Sequence, residues 1–243
     1  MFRSPSIFFF FMKKVTICVC TYGDNLHLIS RCISTILGNF NRNLYELRVG
    51  CNDCPSRVIN FLNNVNIDKL IISKNNLYKN GMMKHLYTDI SSEYVFWFDD
   101  DSHVKRNCLD SIISIADNSK EDEAIFGTIG MFPTLYEIEK EIGLDNWIKQ
   151  QIWYKNKSYP NFENDYSKKK DGFYFVLGGN YFIKTKVLKK INWPSDPTNF
   201  LFKYSRNGED IILGEAIHQN GYKCVNLGVD YGVVVNDSPT RCS

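Results

Sequence analysis

Hydrophobic and polar residues fall along the first half of the chain in two alternating kinds of block. Val15-Thr16-Ile17-Cys18-Val19-Cys20 is a short, nearly unbroken run of apolar and β-branched residues. That is the pattern of a strand covered on both faces. A polar turn, Thr21-Tyr22-Gly23-Asp24-Asn25, follows it. Apolar residues then return at helical spacing over 26–37 (Leu26, Ile29, Ile33, Ile36, Leu37), and Gly38 predicts the stop. Residues 44–50 predict a second strand, 58–62 a helix, 69–73 a third strand and 82–90 another helix. Tyr94-Val95-Phe96-Trp97-Phe98 then predicts a fourth buried strand, which runs directly into Asp99-Asp100-Asp101-Ser102-His103. Strand and helix in this alternation predict an α/β domain with a mostly parallel central sheet and helices on both faces. Such sheets bind ligands beyond the carboxyl ends of their strands. The turns at 21–23, 52–53 and 99–101 are therefore expected to share one rim.

The second half is less regular. Residues 109–116 predict a helix, 124–129 a strand and 136–150 a helix; 153–171 is a loop rich in Tyr, Asn and Lys. Residues 172–183 read as one strand interrupted by Gly178-Gly179, glycines that allow a bulge or a close approach by another group. Asn207-Gly208-Glu209-Asp210 opens a helix over 211–220, and 222–227 and 232–235 are the last strands. Residues 1–12 are expected to be a disordered or mis-started extension. Their apolar run from Ile7 to Met12 is far too short to span a membrane, and Met12-Lys13-Lys14 stands just ahead of the first strand. Residues 13–243 are then one domain.

Composition changes this picture little. An apolar content of 44% supports a real core, and a formal charge of +2 gives no electrostatic case for nucleic acid or a membrane surface. The eight cysteines form no framework. Cys51-Asn52-Asp53-Cys54 lacks the second pair that a zinc site needs, and a reduced, cytoplasmic chain is expected. The chemistry concentrates in the acidic residues. Three carboxylates side by side at Asp99, Asp100 and Asp101 repel one another. A shared cation relieves them, and oxygen ligands suit Mg²⁺ or Mn²⁺. His103 would add a nitrogen ligand. A solvated acidic turn capping the next helix is the other reading. Glu209 and Asp210, in a first helical turn, are also ordinary partners of the helix dipole. Trp193, Trp153 and Tyr154 suit either a sugar platform or the core.

These motifs, in this order, resemble the glycosyltransferases of the GT-A fold, most closely the large inverting family 2, over nearly everything from Lys13 to about Gly228. Cys20-Thr21-Tyr22 stands where that family has a Pro-Thr-Tyr-type turn, without the proline. Asn52-Asp53 stands at its nucleotide-contacting turn, and Lys74-Asn75-Asn76 with Asn80-Gly81 at its Asn/Gly loop. Asp99-Asp100-Asp101 matches its metal motif, Gly178-Gly179-Asn180 its acceptor-side strand and Glu209-Asp210 its base. The resemblance implies a GT-A sheet with a smaller mixed β region on the acceptor side. Residues 13–130 would form the nucleotide-sugar half and 131–243 the acceptor half. It implies metal-dependent, inverting transfer of a sugar from a nucleotide-diphosphate sugar to a hydroxyl of a glycan, a lipid-linked acceptor or a protein. Thr21, Tyr22, Asp53, Asn80, Asp99 and Asp100 would hold the donor. Asp101, with His103 or Asp99, would hold Mn²⁺ or Mg²⁺. Asp210 would be the general base, with Glu209 the alternative, and Gly178, Gly179, Asn180 and Trp193 would line the acceptor side. His218 is expected to point elsewhere, and Asn236 and Asp237 stand nearer the position of the family's last metal ligand. A sugar-phosphate nucleotidyltransferase and a non-catalytic glycan- or nucleotide-sugar-binding module are the rival readings.

Overall fold

The structure, a computed structural model, describes residues 13–132, 172–194 and 209–235. The expectations for residues 1–12, for 136–150 and 153–171 with Trp153 and Tyr154, and for Asn207, Gly208, Asn236 and Asp237 lie outside the described residues.

The apolar runs become strands and the spaced ones helices. β1 (Val15–Tyr22), α1 (Leu26–Asn39), β2 (Tyr45–Asn52), α2 (Ser56–Asn63), β3 (Lys69–Ser73), α3 (Tyr78–Leu86) and β4 (Tyr94–Asp99) follow in order. Next come β5 (Ser102–Val104), α4 (Leu109–Asp117), β6 (Glu123–Gly127) and β7 (Ile129–Phe132). After them stand β8 (Phe173–Val176), β9 (Asn180–Lys184), α5 (Thr185–Lys190), α6 (Glu209–Gln219), β10 (Lys223–Asn226) and β11 (Val233–Val235). Seven strands form the central sheet in the order β10-β6-β9-β4-β1-β2-β3. All its pairings are parallel except those of β9, which runs antiparallel to β4 and β6. Two small antiparallel pairs, β11 with β5 and β7 with β8, stand beside it.

Successive strand residues point to opposite faces, and each face has its own core. Ile17 and Val19 of β1, Phe96 and Phe98 of β4 and Phe182 of β9 pack with α1, α2 and α4. Cys18, Val95, Trp97, Tyr181 and Ile183 pack with α3, α5 and α6. Helices therefore cover both faces, and the doubly buried strands explain why their sequences are continuously apolar. Among the described residues no helix is long and apolar enough to cross a membrane.

Four local differences from the sequence pattern bear on the site. α1 runs through Gly38 to Asn39, since one glycine in a helix costs only about 1 kcal/mol. α3 begins a turn earlier than expected, because the side chain of Asn52 reaches over to accept the N–H of Leu77 at 2.8 Å. Residues 172–183 are two strands in different sheets, and the glycines are the corner between them. Residues 102–104 pair with 233–235, a contact across the chain that no local pattern signals.

Candidate active site

Register brings the polar turns together. Cys20 lies level with Asp99 in the β1–β4 pair, so Thr21 is next to Asp100. The Thr21 hydroxyl donates to Asp100 Oδ2 at 2.8 Å, and Asn25 Nδ2 donates to the same oxygen at 3.2 Å. Both Thr21 and Asp100 are buried. Thr21→Val keeps the shape and removes the donor to a buried carboxylate. It is expected to cost about 1–2 kcal/mol in urea unfolding, the range for a buried polar group that loses a partner.

Tyr22 is level with Asn52 across β1 and β2. Asn52 Nδ2 donates to Asn76 Oδ1 at 3.1 Å, and Asn76 Oδ1 also accepts the N–H of Tyr78 at 2.8 Å. Asp53 takes a left-handed backbone, φ 54°, which Asp tolerates better than most residues. Its N–H donates to Ser73 O at 2.9 Å and its side chain is exposed. Tyr78 also has a positive φ, 55°. Tyr22 and Tyr78 are about half exposed, at 51% and 50%.

The centre of the site joins the end of β4 to the start of α6. Lys79, in the first turn of α3, sets its ammonium between Asp99, at 2.8 Å, and Glu209. Trp97 Nε1 also donates to Asp99, at 3.0 Å, and the Trp97 ring lies 5.8 Å from the Lys79 ammonium. Burial alone pulls the pKa of Lys79 down, but Asp99 and Glu209 more than offset it, and the net shift is upward. Burial pushes the Glu209 carboxyl up, Lys79 opposes this, and Asp99 and Asp210 reinforce it. Asp210 is held separately: its Oδ2 accepts the N–H of Gly178 at 2.9 Å and its Oδ1 accepts the N–H of Ile211 at 2.9 Å. A Cβ on Gly178 would come within 3.1 Å of Asp210 Oδ2 and 3.5 Å of Glu209 Oε1, so a side chain here would press on the acid pair. Gly179, with φ 97°, turns its carbonyl to accept both the N–H of Asp99 at 2.6 Å and the hydroxyl of Ser102 at 2.8 Å. The glycine corner thus ties the aspartate turn to the acid pair.

Two expected site residues have surroundings of their own. His103 lies on β5 opposite Val234, one residue beyond Ser102, so it points away from the face on which Ser102 meets Gly179. Its Nδ1 is buried with no hydrogen-bond partner among the described residues. Burial, then Arg31 and Lys105, pull its pKa down. Trp193 is buried in the core beneath α5 and α6 and packs there rather than offering an open face to a sugar. Asn180 is buried opposite Phe98, and Asn80, on α3, has a buried Oδ1 with no hydrogen-bond partner among the described residues. His218 stacks on Phe173, 6.1 Å between ring centres.

Two of the three aspartates are engaged by protein donors. Asp99 is taken by Lys79 and Trp97, and Asp100 by Thr21 and Asn25. Among the described residues no three His, Cys, Asp or Glu side chains are gathered to hold a metal. Asp101 is buried at the turn. Lys79 and Asn25 are site residues to which motif reading gave no role.

No protein-family model matches the chain, and no curated protein matches it in sequence. Solved structures match its fold. Residues 1–349 of TarS from S. aureus align over 92% of this chain at 14% identity with a TM-score of 0.55. A longer TarS structure aligns over 93% at 13% identity with a TM-score of 0.56. The mannosyltransferase PcManGT from Pyrobaculum calidifontis, in complex with GDP-Man and Mn²⁺, aligns over 88% at 12% identity with a TM-score of 0.52. This chain spans 60% and 37% of the two TarS chains and 54% of PcManGT. The chain has a GT-A-like glycosyltransferase fold: a mostly parallel seven-stranded sheet with helices on both faces and small antiparallel sheets beside it.

Proposed function

We propose that this protein is an inverting glycosyltransferase that moves a sugar from a nucleoside-diphosphate sugar to a hydroxyl acceptor. The observation that supports it most is the meeting of Asp99 with Glu209 and Asp210 around Lys79 and Gly178, at the carboxyl end of the sheet. The donor would lie over the turns of β1, β2 and β4. Tyr22 would cover the base, Asp53 and Thr21 would border the nucleoside, and Asp99 and Asp100 would border the ribose or sugar. The acceptor would enter past Gly178 and Gly179. Its hydroxyl oxygen attacks the anomeric carbon, its proton passes to Asp210, and the bond from that carbon to the phosphate oxygen breaks with its electron pair on the diphosphate. One in-line displacement inverts the carbon and needs no covalent enzyme intermediate. Asp210 suits the base because its two oxygens are oriented by backbone N–H groups and, among the described residues, have no lysine partner. Glu209 is engaged by Lys79 and is assigned a structural part.

GDP-Man and Mn²⁺ are bound by PcManGT. A nucleotide-sugar donor is the corresponding proposal for this chain. No step of this transfer is routed through a metal ion. Thermal-shift and hydrolysis screens with UDP-, GDP-, dTDP- and CMP-sugars test the reading. Stabilisation by one donor, with release of its nucleotide to a hydroxyl acceptor, is expected. Release of pyrophosphate from a nucleoside triphosphate and a sugar phosphate would instead make the protein a nucleotidyltransferase. Binding without turnover would make it a binding module. Tyr22→Ala is expected to weaken donor binding by about tenfold in calorimetric titration, the loss of one stacked aromatic contact, with little change in thermal stability because the ring is half exposed.

A further inference from the structure

We propose that Lys79 is the resident cation of this site, a positioning residue whose ammonium stands where a GT-A carboxylate corner would otherwise draw in a divalent ion. Asp99 and Glu209 come from elements 110 residues apart in sequence, and they converge on one lysine from a third. Asp210 and Asp99 both add negative potential at Glu209. Two carboxylates this close, on a lysine whose ammonium lies 5.8 Å from the Trp97 ring, need a positive charge between them. A mobile metal ion would supply it only when bound. Lys79 supplies it as part of the chain, and α3 delivers it because Asn52 and Asn76 fix the turn just before it. In the proposed transfer, which this inference extends, Lys79 would keep Glu209 occupied and so leave Asp210 as the group that meets the acceptor.

The prediction is that removing this charge creates a metal site. Mn²⁺ alone would be titrated into metal-free wild type, Lys79→Met and Lys79→Met/Asp99→Asn, and read by electron paramagnetic resonance and thermal shift. Lys79→Met is expected to bind Mn²⁺ at least about tenfold more tightly than wild type, because two unneutralised carboxylates favour a hard divalent cation. The gain should disappear in the double variant. Should Lys79→Met not fold, Lys79→Gln, which keeps hydrogen-bonding capacity without charge, is read in its place. Equal Mn²⁺ affinity in wild type and the charge-removed protein would overturn the proposal, as would a gain that survives loss of Asp99. None of these titrations contains a nucleotide sugar. A protein that gains Mn²⁺ affinity but accepts no donor would therefore retain this inference and lose the transferase reading.

Discussion

Asp210→Asn is expected to lower the rate of sugar transfer by about 10²–10⁴-fold, the usual contribution of a positioned general base, while donor binding stays close to that of wild type. The substitution changes almost nothing in shape. Asn retains one oxygen to accept an N–H from Gly178 or Ile211, so the helix end should keep its place. What is lost is the capacity to take a proton from the acceptor hydroxyl. Glu209 is next to it in sequence but does not substitute for it, because its carboxylate is buried and paired with Lys79. The kinetic signature follows from this division: kcat falls, while the affinity for donor, measured directly by titration, does not. Glu209→Gln gives the contrast. It leaves Lys79 with a single carboxylate partner, and a loss of folded stability should accompany its loss of rate. If Asp210→Asn transferred at the wild-type rate, the base would have to be sought elsewhere.

The part of this site legible in the sequence is the part carried by contiguous residues. The strand 94–98 running into three aspartates, the glycine pair at 178–179 and the acid pair at 209–210 each announce themselves, and register places them on one rim. Local patterning cannot say which acid meets which base. Lys79 was hidden because its partners lie 20 and 130 residues away, and because periodicity starts α3 at Met82, beyond the lysine. The earlier start depends on side-chain bonds from Asn52 and Asn76 to the N–H groups of Leu77 and Tyr78. For His103, spacing puts it on the same side as Asp101, but its pairing with Val234 is a contact across the chain that no local pattern signals. Trp193 has the composition of a sugar platform and the surroundings of a core residue, and only burial separates the two.

Gly214→Ala should destabilise the protein by about 2 kcal/mol and lower transfer with it, against the usual sign for that change in a helix. Alanine in a helix interior is normally better than glycine by about 1 kcal/mol. Here, however, a Cβ at 214 would lie 2.2 Å from the Cβ of Phe175, 2.9 Å from its Cα and 3.3 Å from the carbonyl oxygen of Tyr174. None of these is the flexible end of a long side chain, so either α6 or β8 must move, and overpacking of this kind costs about 1–3 kcal/mol. The adjacent Ile212, Leu213, Ala216 and Ile217 are buried in the same core and leave the helix little freedom to tilt. Displacement would reach the site from both ends, since α6 begins with Glu209 and Asp210 and β8 leads through Leu177 to Gly178, whose N–H holds Asp210. Gly38→Ala supplies the control. Gly38 is also inside a helix, but nothing lies within 4 Å of its Cβ position, so the same substitution should there raise stability by about 0.5–1 kcal/mol. Urea unfolding of the two variants, with transfer assayed under folding conditions, separates the effect of helix propensity from that of docking. A stabilised Gly214→Ala enzyme with full activity would mean that the close seat of α6 on β8 does not position the acid pair.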